Sequence, residues 1–206
     1  MPGLTLFLNK RAHTEADRLA VLVIGAATDL ASGLLADPAL GDRIEIMAMA
    51  FDAWPDGGDS FNVRNDLTAW RTLLGSGAPI AVGDAAVTLR DLALTTAQAQ
   101  GWPGEAGPAG NYLVGLLRAW IDAHPELLRR ITGNAAAWPV WDQVAVAHLL
   151  GMTTSETRPR PRVRDDFRFD HPASTDREIT WITRTDADRL WADLQRKLQT
   201  LSAPPA

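Results

Sequence analysis

The 206-residue sequence contains no cysteine. Disulfide scaffolds, thiol nucleophiles, zinc ribbons and iron–sulfur clusters are therefore excluded, because each depends on cysteine sulfur. A chain without cysteine suits the reducing cytosol, and we expect a cytoplasmic protein. Positive charge is also scarce, with 20 Lys and Arg against 25 Asp and Glu and a formal net charge of -5. This balance argues against nucleic acid as a partner.

Long hydrophobic runs are missing as well. The first residues lack a basic segment followed by an apolar stretch, and no run approaches the span of a bilayer, so we expect no membrane partner. Hydrophobic residues make up 46% and charged residues 22% of the chain. These values are typical of a packed globular protein, and the length predicts a single domain over residues 1–206.

Several catalytic signatures do not occur. The sequence has no Gly-x-Gly-x-x-Gly, no Gly-x-x-x-x-Gly-Lys-Ser/Thr, no His-Glu-x-x-His and no nucleophile elbow. Its four histidines, His13, His124, His148 and His171, show no metal-binding spacing.

The first half alternates buried strands with helices. Continuous apolar runs predict strands at 19–25, 43–50 and 79–82, with a helix from residue 26 to 35 and another carrying Leu67, Trp70 and Leu74. Strands of this kind joined by helices predict an α/β fold, a doubly wound and mostly parallel sheet with helices on both faces.

The second half is more mixed. We predict a helix carrying Leu113, Leu116, Leu117 and Trp120, then a loop through Trp138-Pro139, then a buried helix within 141–150. Two late strands are expected at 157–169 and 178–183. A capping box at 185–188 predicts the start of a final helix.

Four arginines alternate at Arg158, Arg160, Arg162 and Arg164. On one strand they would share a face and form a phosphate-binding stripe. Asp165, Asp166 and Asp170 follow closely, however, which favours a solvated face with local ion pairs.

Oxygen-bearing side chains follow the predicted strands or begin helices. They are Asp52, Asp56, Asp59, Asn62, Asp66, Asp84 and Asp142. Hard cations and sugar hydroxyls both bind such oxygens. Asp142 stands out because it begins an otherwise apolar helix. The structural alternative is that Asp142, Asn62 and Asp66 are turn or cap residues. Trp54, Trp138 and Trp141 would either stack on a flat heterocycle or cover edges of the core.

Five segments, taken in order, resemble consecutive motifs of the calcium-dependent, inosine/uridine-preferring nucleoside hydrolases. They are 25–31 (GAATDLA), 36–38 (ADP), 46–50 (IMAMA), 60–66 (SFNVRND) and 141–147 (WDQVAVA). They are similar to that family's Gly-Pro-Leu-Thr-Asn-Leu-Ala turn, Asp-Pro stop, Met-Gly-Gly strand end, Glu-Phe-Asn ribose-binding stretch and His-Asp-Pro-Leu-Ala-Val-Ala helix start. The likeness covers the family's C-terminal two-thirds.

This resemblance implies a fold, an activity and a set of site residues. The implied activity is hydrolysis of the N-glycosidic bond of ribonucleosides, with nucleoside salvage as its setting and Ca²⁺ as the cofactor. Asp142 and the Ile24 carbonyl match metal ligands of the family. Asn62 matches a ligand of the ribose hydroxyls, Phe61 lines the sugar, and Trp141 is assigned to the substrate site.

The sequence departs from the family pattern at three places. Trp141 stands where some members have a histidine that protonates the leaving base. Ser60 stands where the family has a glutamate, and the neighbouring Asp59 is the expected substitute for that glutamate. The family's N-terminal aspartate cluster, which supplies the other calcium ligands and the catalytic base, does not occur in residues 1–206. No catalytic residue is therefore assigned.

Three hypotheses follow. The chain is a nucleoside hydrolase whose start lies further upstream, a non-catalytic nucleoside-binding or subunit-type domain, or an α/β domain with an unrelated ligand. The absence of the family's first strand also predicts an exposed apolar sheet edge, with poor solubility or association into a homo-oligomer.

Overall fold

The structure, a computed structural model, describes residues 11–12, 18–58, 61–101, 103–173 and 175–202. Contacts within the chain divide it into two compact units. The first consists of residues 1–87 and 142–185, and the second of residues 88–141 and 186–206. A single domain over the whole chain remains a prediction.

The helices and strands alternate through most of the first half. In chain order they are β1 (Leu19–Val23), α1 (Thr28–Ala36), a 3-10 helix (Pro38–Asp42), β2 (Ile44–Met49), α2 (Phe61–Asn65), α3 (Leu67–Gly75), β3 (Ile80–Gly83), α4 (Ala85–Asp91), β4 (Ala93–Thr95), α5 (Thr96–Gln100), α6 (Pro103–Ala123), α7 (Pro125–Thr132), β5 (Ala137–Pro139), α8 (Gln143–Leu149), β6 (Thr153–Pro159), β7 (Arg162–Val163), β8 (Phe169–Asp170), β9 (Glu178–Thr185) and α9 (Ala187–Ser202). Among the described residues, no helix has both the length and the apolar character needed to cross a bilayer.

The first unit is built on a five-stranded sheet in the order β1-β2-β3-β9-β6. β1, β2, β3 and β9 are parallel neighbours, and β6 pairs antiparallel with β9. The predicted α/β fold with a mostly parallel sheet is confirmed. Parallel pairing with helical crossovers brings the carboxyl ends of these strands to one edge.

Alternate residues of the strands face different helices. On one face Ile46 and Val82 pack in the same core as Leu30 of α1 and Trp70 of α3. On the other face Met47, Ala81 and Ala145 of α8 form a smaller cluster, joined by Ala20 and Leu22 of β1. Because both faces are covered, strands of this sheet read as continuous apolar runs rather than alternating ones.

Two stretches differ from the sequence-based expectation. The loop predicted through Trp138-Pro139 contains helix α7 and strand β5, which pairs with β4 in the second unit. The strand predicted at 157–169 is broken. β6 ends at Pro159, and β7 and β8 form a separate two-stranded sheet. Pro159 and Pro161 lack the backbone N–H needed for a continuous ladder.

The final helix begins as predicted but with a different cap. Asp186 accepts a hydrogen bond from the backbone N–H of Arg189 at 3.1 Å. Thr185, the residue predicted to open a capping box, is the last residue of β9. Because the strand extends further than expected, the capping position shifts by one residue.

The four arginines do not form a stripe on one strand face, because Arg160 is buried. Arg160 is only 6% exposed to solvent. Its guanidinium donates hydrogen bonds to the carbonyls of Glu178, Ser76 and Ala78 at 2.9–3.0 Å. These bonds connect the end of α3 with the residues that lead into β3 and β9. Arg158 and Arg164 instead form local ion pairs with Glu156 and Asp166, in agreement with the favoured alternative.

A close contact sets the position of α8 on the sheet. A Cβ atom added to Gly83, the last residue of β3, would lie 2.2 Å from Cγ2 of Val144. No real side chain tolerates this distance, so a residue larger than glycine at position 83 would move α8. Asp142 lies two residues before Val144. The position of Asp142 therefore depends on the contact between Val144 and Gly83.

We predict that Gly83→Ala lowers the free energy of unfolding by roughly 1–3 kcal/mol, because the added methyl overlaps Val144. Urea denaturation measures the change. Val144→Ala makes room for the methyl, and the cost in the double variant is therefore expected to be smaller than the sum of the single costs. Gly115→Ala, whose Cβ meets nothing within 4 Å, is the control. Strict additivity of the two substitutions would contradict the prediction.

We also predict that Arg160→Met lowers the free energy of unfolding by roughly 2–4 kcal/mol, since it leaves several carbonyls without a donor. The apolar replacement keeps the length of the side chain, so lost hydrogen bonding dominates the effect. Arg184→Met on the exposed end of β9 is the matched control. Equal stability of the two variants in urea denaturation would refute the role given to Arg160.

Candidate functional site

The candidate site lies at the edge where the parallel strands end. Ile24 directly follows β1, Phe51 and Asp52 lie just beyond β2, and Asp84 directly follows β3. Val23 aligns with Ala48, and Met49 aligns with Gly83, so the three strand ends are in register. In open α/β sheets this edge is where ligands bind.

Asn62 is held against the end of β2. Asn62 is buried, with 8% of its surface exposed to solvent, and its Nδ2 donates a hydrogen bond to the Met49 carbonyl at 3.0 Å. Its own backbone carbonyl accepts from Nε1 of Trp70 at 3.2 Å. No donor to Asn62 Oδ1 is present among the described residues, so the amide oxygen remains as an acceptor. Phe61, the preceding residue, is 75% exposed.

Asp66 joins two of the segments that carry the resemblance. Its Oδ2 accepts from the Thr28 hydroxyl at 2.7 Å, and its Oδ1 accepts from the backbone N–H of Ala69 at 2.9 Å. These bonds, the Thr28 bond above all, lower the pKa of the Asp66 carboxyl. Asp66 is thus the cap of α3, as the structural alternative proposed, and it ties α3 to the start of α1.

Asp84 is committed to the fold. It is 3% exposed, and its Oδ2 accepts from Nε1 of Trp181 at 2.9 Å and from the backbone N–H of Trp54 at 3.3 Å. Its Oδ1 accepts from the backbone N–H of Val87 at 2.8 Å in the first turn of α4. These donors satisfy the buried carboxylate and anchor the loop after β2. A ligand role for Asp84 is therefore not supported.

Asp142 behaves differently from the two carboxylates above. It occupies the cap position of α8, yet its side chain accepts no capping hydrogen bond from the helix. The capping explanation for this residue is therefore wrong. Burial raises the pKa of its carboxyl above the usual value. Removing a carboxylate from water without a compensating hydrogen bond costs free energy.

The described residues do not form a calcium site. They contain no group of three or more histidine, aspartate or glutamate side chains placed to hold a metal ion. Calcium takes six to eight oxygen ligands. The expected pair, Asp142 and the Ile24 carbonyl, supplies two. Asp59, the proposed substitute for the family's glutamate, lies outside the described residues.

Trp54, Trp138 and Trp141 each pack against aromatic rings of their own unit. Trp54 lies against Trp181 and His171 in the first unit, at ring-centroid distances of 5.1 and 4.9 Å, and covers an edge of the core. In the second unit Trp141 meets Trp138 edge-on at 6.4 Å. A substrate-binding role for Trp141 remains a prediction.

Sequence reasoning missed two residues that shape this edge. Phe51 is fully buried and adopts a positive φ of 66°, a conformation that few residues other than glycine adopt. Its carbonyl accepts from the N–H of Ala85, which fixes the start of α4 against the end of β2. Gly83 is the second, through its contact with Val144. The local sequence does not predict either feature. The positive φ of Phe51 and the need for glycine at position 83 both arise from contacts with elements distant in sequence.

Comparison with known proteins identifies the fold. The chain is similar to a plant nucleoside hydrolase (TM-score 0.76, 18% identity, 98% of this chain and 67% of that one). It is also similar to a purine-preferring ribonucleoside hydrolase from Gardnerella vaginalis (TM-score 0.77, 19% identity, 97% and 66%). A third similar structure is an inosine-uridine preferring nucleoside hydrolase from Bacillus anthracis (TM-score 0.72, 17% identity, 95% and 65%).

The chain spans about two thirds of the length of these structures. The sequence matches no protein-family model and no curated protein. The similarity is therefore structural. The chain has the nucleoside hydrolase fold.

Proposed function

We propose that the chain binds ribonucleosides at the carboxyl edge of its parallel sheet, with Asn62, Phe61 and Asp142 as the binding residues. The observation that carries this proposal is the convergence of the motif segments. The Thr28–Asp66 bond and the Asn62–Met49 bond join three of these segments. Val144, two residues after Asp142 in a fourth segment, packs against Gly83 at the end of β3. The nucleoside hydrolase fold supports the choice of ligand.

The chemistry of these side chains suits a sugar. A ribose offers two neighbouring hydroxyl donors, and both Asn62 Oδ1 and the Asp142 carboxylate are acceptors. A hydrogen bond to a charged acceptor in a partly desolvated place is stronger than one in water. Phe61, the residue before Asn62, has an exposed ring that offers an apolar surface for a ligand.

Hydrolysis of the N-glycosidic bond is the second candidate function, favoured by the similarity to nucleoside hydrolases. This reaction needs an activated water and a stabilised oxocarbenium-like transition state. Nucleoside hydrolysis by a calcium-dependent route needs carboxylates that the described residues do not supply. We therefore propose ribonucleoside binding as the function to test first, with hydrolysis as the alternative.

We predict that Asp142→Asn makes the protein more stable at neutral pH. The pKa of Asp142 is raised in the folded state, so the ionised form costs stability above that pKa. As pH falls toward the unfolded value of about 3.9, wild type binds a proton and the cost disappears. The stability difference between variant and wild type is thus expected to shrink with falling pH.

Thermal melts between pH 4 and 8 measure this difference. Asp42→Asn removes an exposed carboxylate of the first unit and is the control for net charge. A stability difference independent of pH, or one equal to that of the control, would contradict the assignment of a desolvated carboxylate at position 142.

We predict that Phe61→Ala and Asp142→Ala each weaken binding of inosine and uridine at least tenfold, as isothermal titration calorimetry measures. Phe61 is exposed, so its replacement leaves the fold intact. Leu35→Ala, an equally exposed apolar residue of α1, and Asp42→Ala are the matched controls. Asn62→Ala is compared with Asn65→Ala on the same helix. Equal affinity of site and control variants would exclude this edge as the binding site.

The same samples are tested for release of free base, with and without added Ca²⁺. Binding without release supports the binding proposal. Release that requires Ca²⁺ and is lost in Asp142→Ala would overturn it in favour of hydrolysis.

A further inference from the structure

A cavity lies at the opposite edge of the sheet from the candidate site. Its volume is about 550 Å³, and Arg71, Arg160, Arg162 and Arg177 line it together with Leu74 and Pro161. Arg177 directly precedes β9, and Leu74 lies in the last turn of α3, which leads into β3. The cavity is therefore at the amino ends of the parallel strands, and nothing in the proposed nucleoside site uses it.

Two of these arginines are held close together. The Nη1 atoms of Arg160 and Arg177 both donate to the Ser76 carbonyl, at 2.9 and 3.1 Å. Arg177 also donates to the Gly75 carbonyl. Among the described residues, neither guanidinium forms an ion pair with a carboxylate. Like charges are thus brought together at the wall of the cavity, and their repulsion adds to burial in lowering the pKa of Arg160.

The other two arginines differ in how far they are neutralised. Arg71 pairs with Asp165 at 2.7 Å and donates to the Val163 carbonyl. Arg162 is exposed and lies opposite Asp170 in the β7–β8 register, but the two side chains form no ion pair. Asp176 is the carboxylate that lines the cavity itself. The residues that line the cavity therefore include four arginines and one carboxylate, Asp176.

Capping of α3 explains part of this arrangement. The last carbonyls of a helix carry partial negative charge, and Arg160 and Arg177 donate to carbonyls at the end of α3. This accounts for two of the arginines. It does not account for Arg162, whose side chain lines the cavity and has no ion-pair partner among the described residues, or for the cavity itself.

We propose that this cavity binds the phosphate group of a small organic phosphate ester. Guanidinium groups match phosphate oxygens as two-pronged donors, and an anion here relieves the repulsion between Arg160 and Arg177. The volume falls in the range of small-molecule sites and exceeds what a phosphate ion needs. Leu74, Pro161 and Val163 supply apolar wall for the organic part of the ligand.

Calorimetric titration of the full chain with phenyl phosphate, inorganic phosphate and sodium chloride at matched ionic strength tests the proposal. We expect phenyl phosphate to bind more tightly than phosphate, and chloride not to compete. Equal affinity for phosphate and phenyl phosphate would identify free phosphate as the ligand and overturn the ester. Binding of neither over chloride would overturn the site altogether.

The matched variants are Arg162→Ala and Arg184→Ala. Each removes one exposed positive charge from the first unit, but Arg184 lies near the far end of β9, about 23 Å from Arg177 at about 3.3 Å per residue. We expect Arg162→Ala to weaken phenyl phosphate binding at least tenfold and Arg184→Ala to leave it unchanged. Because the Arg162 side chain makes no hydrogen bond or ion pair with another described residue, the melting temperature of Arg162→Ala should stay at the wild-type value. Equal affinities of the two variants would refute the cavity as the site.

Discussion

The parallel alignment of β1, β2, β3 and β9 is the constraint on which the rest of the first unit depends. Because all four strands run the same way, every segment that follows one of them emerges at one edge, and every segment that precedes one emerges at the other. Neutral and acidic oxygen-bearing groups gather at the carboxyl edge. Guanidinium groups gather at the amino edge. The two proposed sites therefore differ in chemical character because they lie at opposite edges of one sheet.

At the carboxyl edge, the carboxylates differ in the hydrogen bonds that they accept. Asp84 and Asp66 accept bonds from backbone and side-chain donors and hold loops and helices in place. Asp142 lacks the bond that its cap position offers and stays partly desolvated. A residue that costs stability without holding the fold together is the kind retained for a ligand. This distinction, rather than the number of acidic residues, selects Asp142.

The comparison with nucleoside hydrolase structures concerns the fold rather than the chemistry of the carboxyl edge. The nucleoside hydrolase fold is present over nearly the whole chain, while the chain spans about two thirds of the length of the similar structures. The described residues contain no group of three or more histidine, aspartate or glutamate side chains placed to hold a metal ion. A shared fold does not by itself establish a shared set of ligands.

The sequence by itself determined the α/β class, the first three strands and the helix that begins after Asp142, because these depend on local apolar runs and on residues such as Pro38 and Gly75 that end helices. Segments of the second half were harder. The break at Pro159 and Pro161 carried a signal in the prolines, which the alternation of arginines obscured. The tertiary structure alone decided that Arg160 is buried, that Phe51 takes a positive φ, and that Gly83 must remain small. Each of these depends on an atom from a distant part of the chain, and a local pattern holds no information about such contacts.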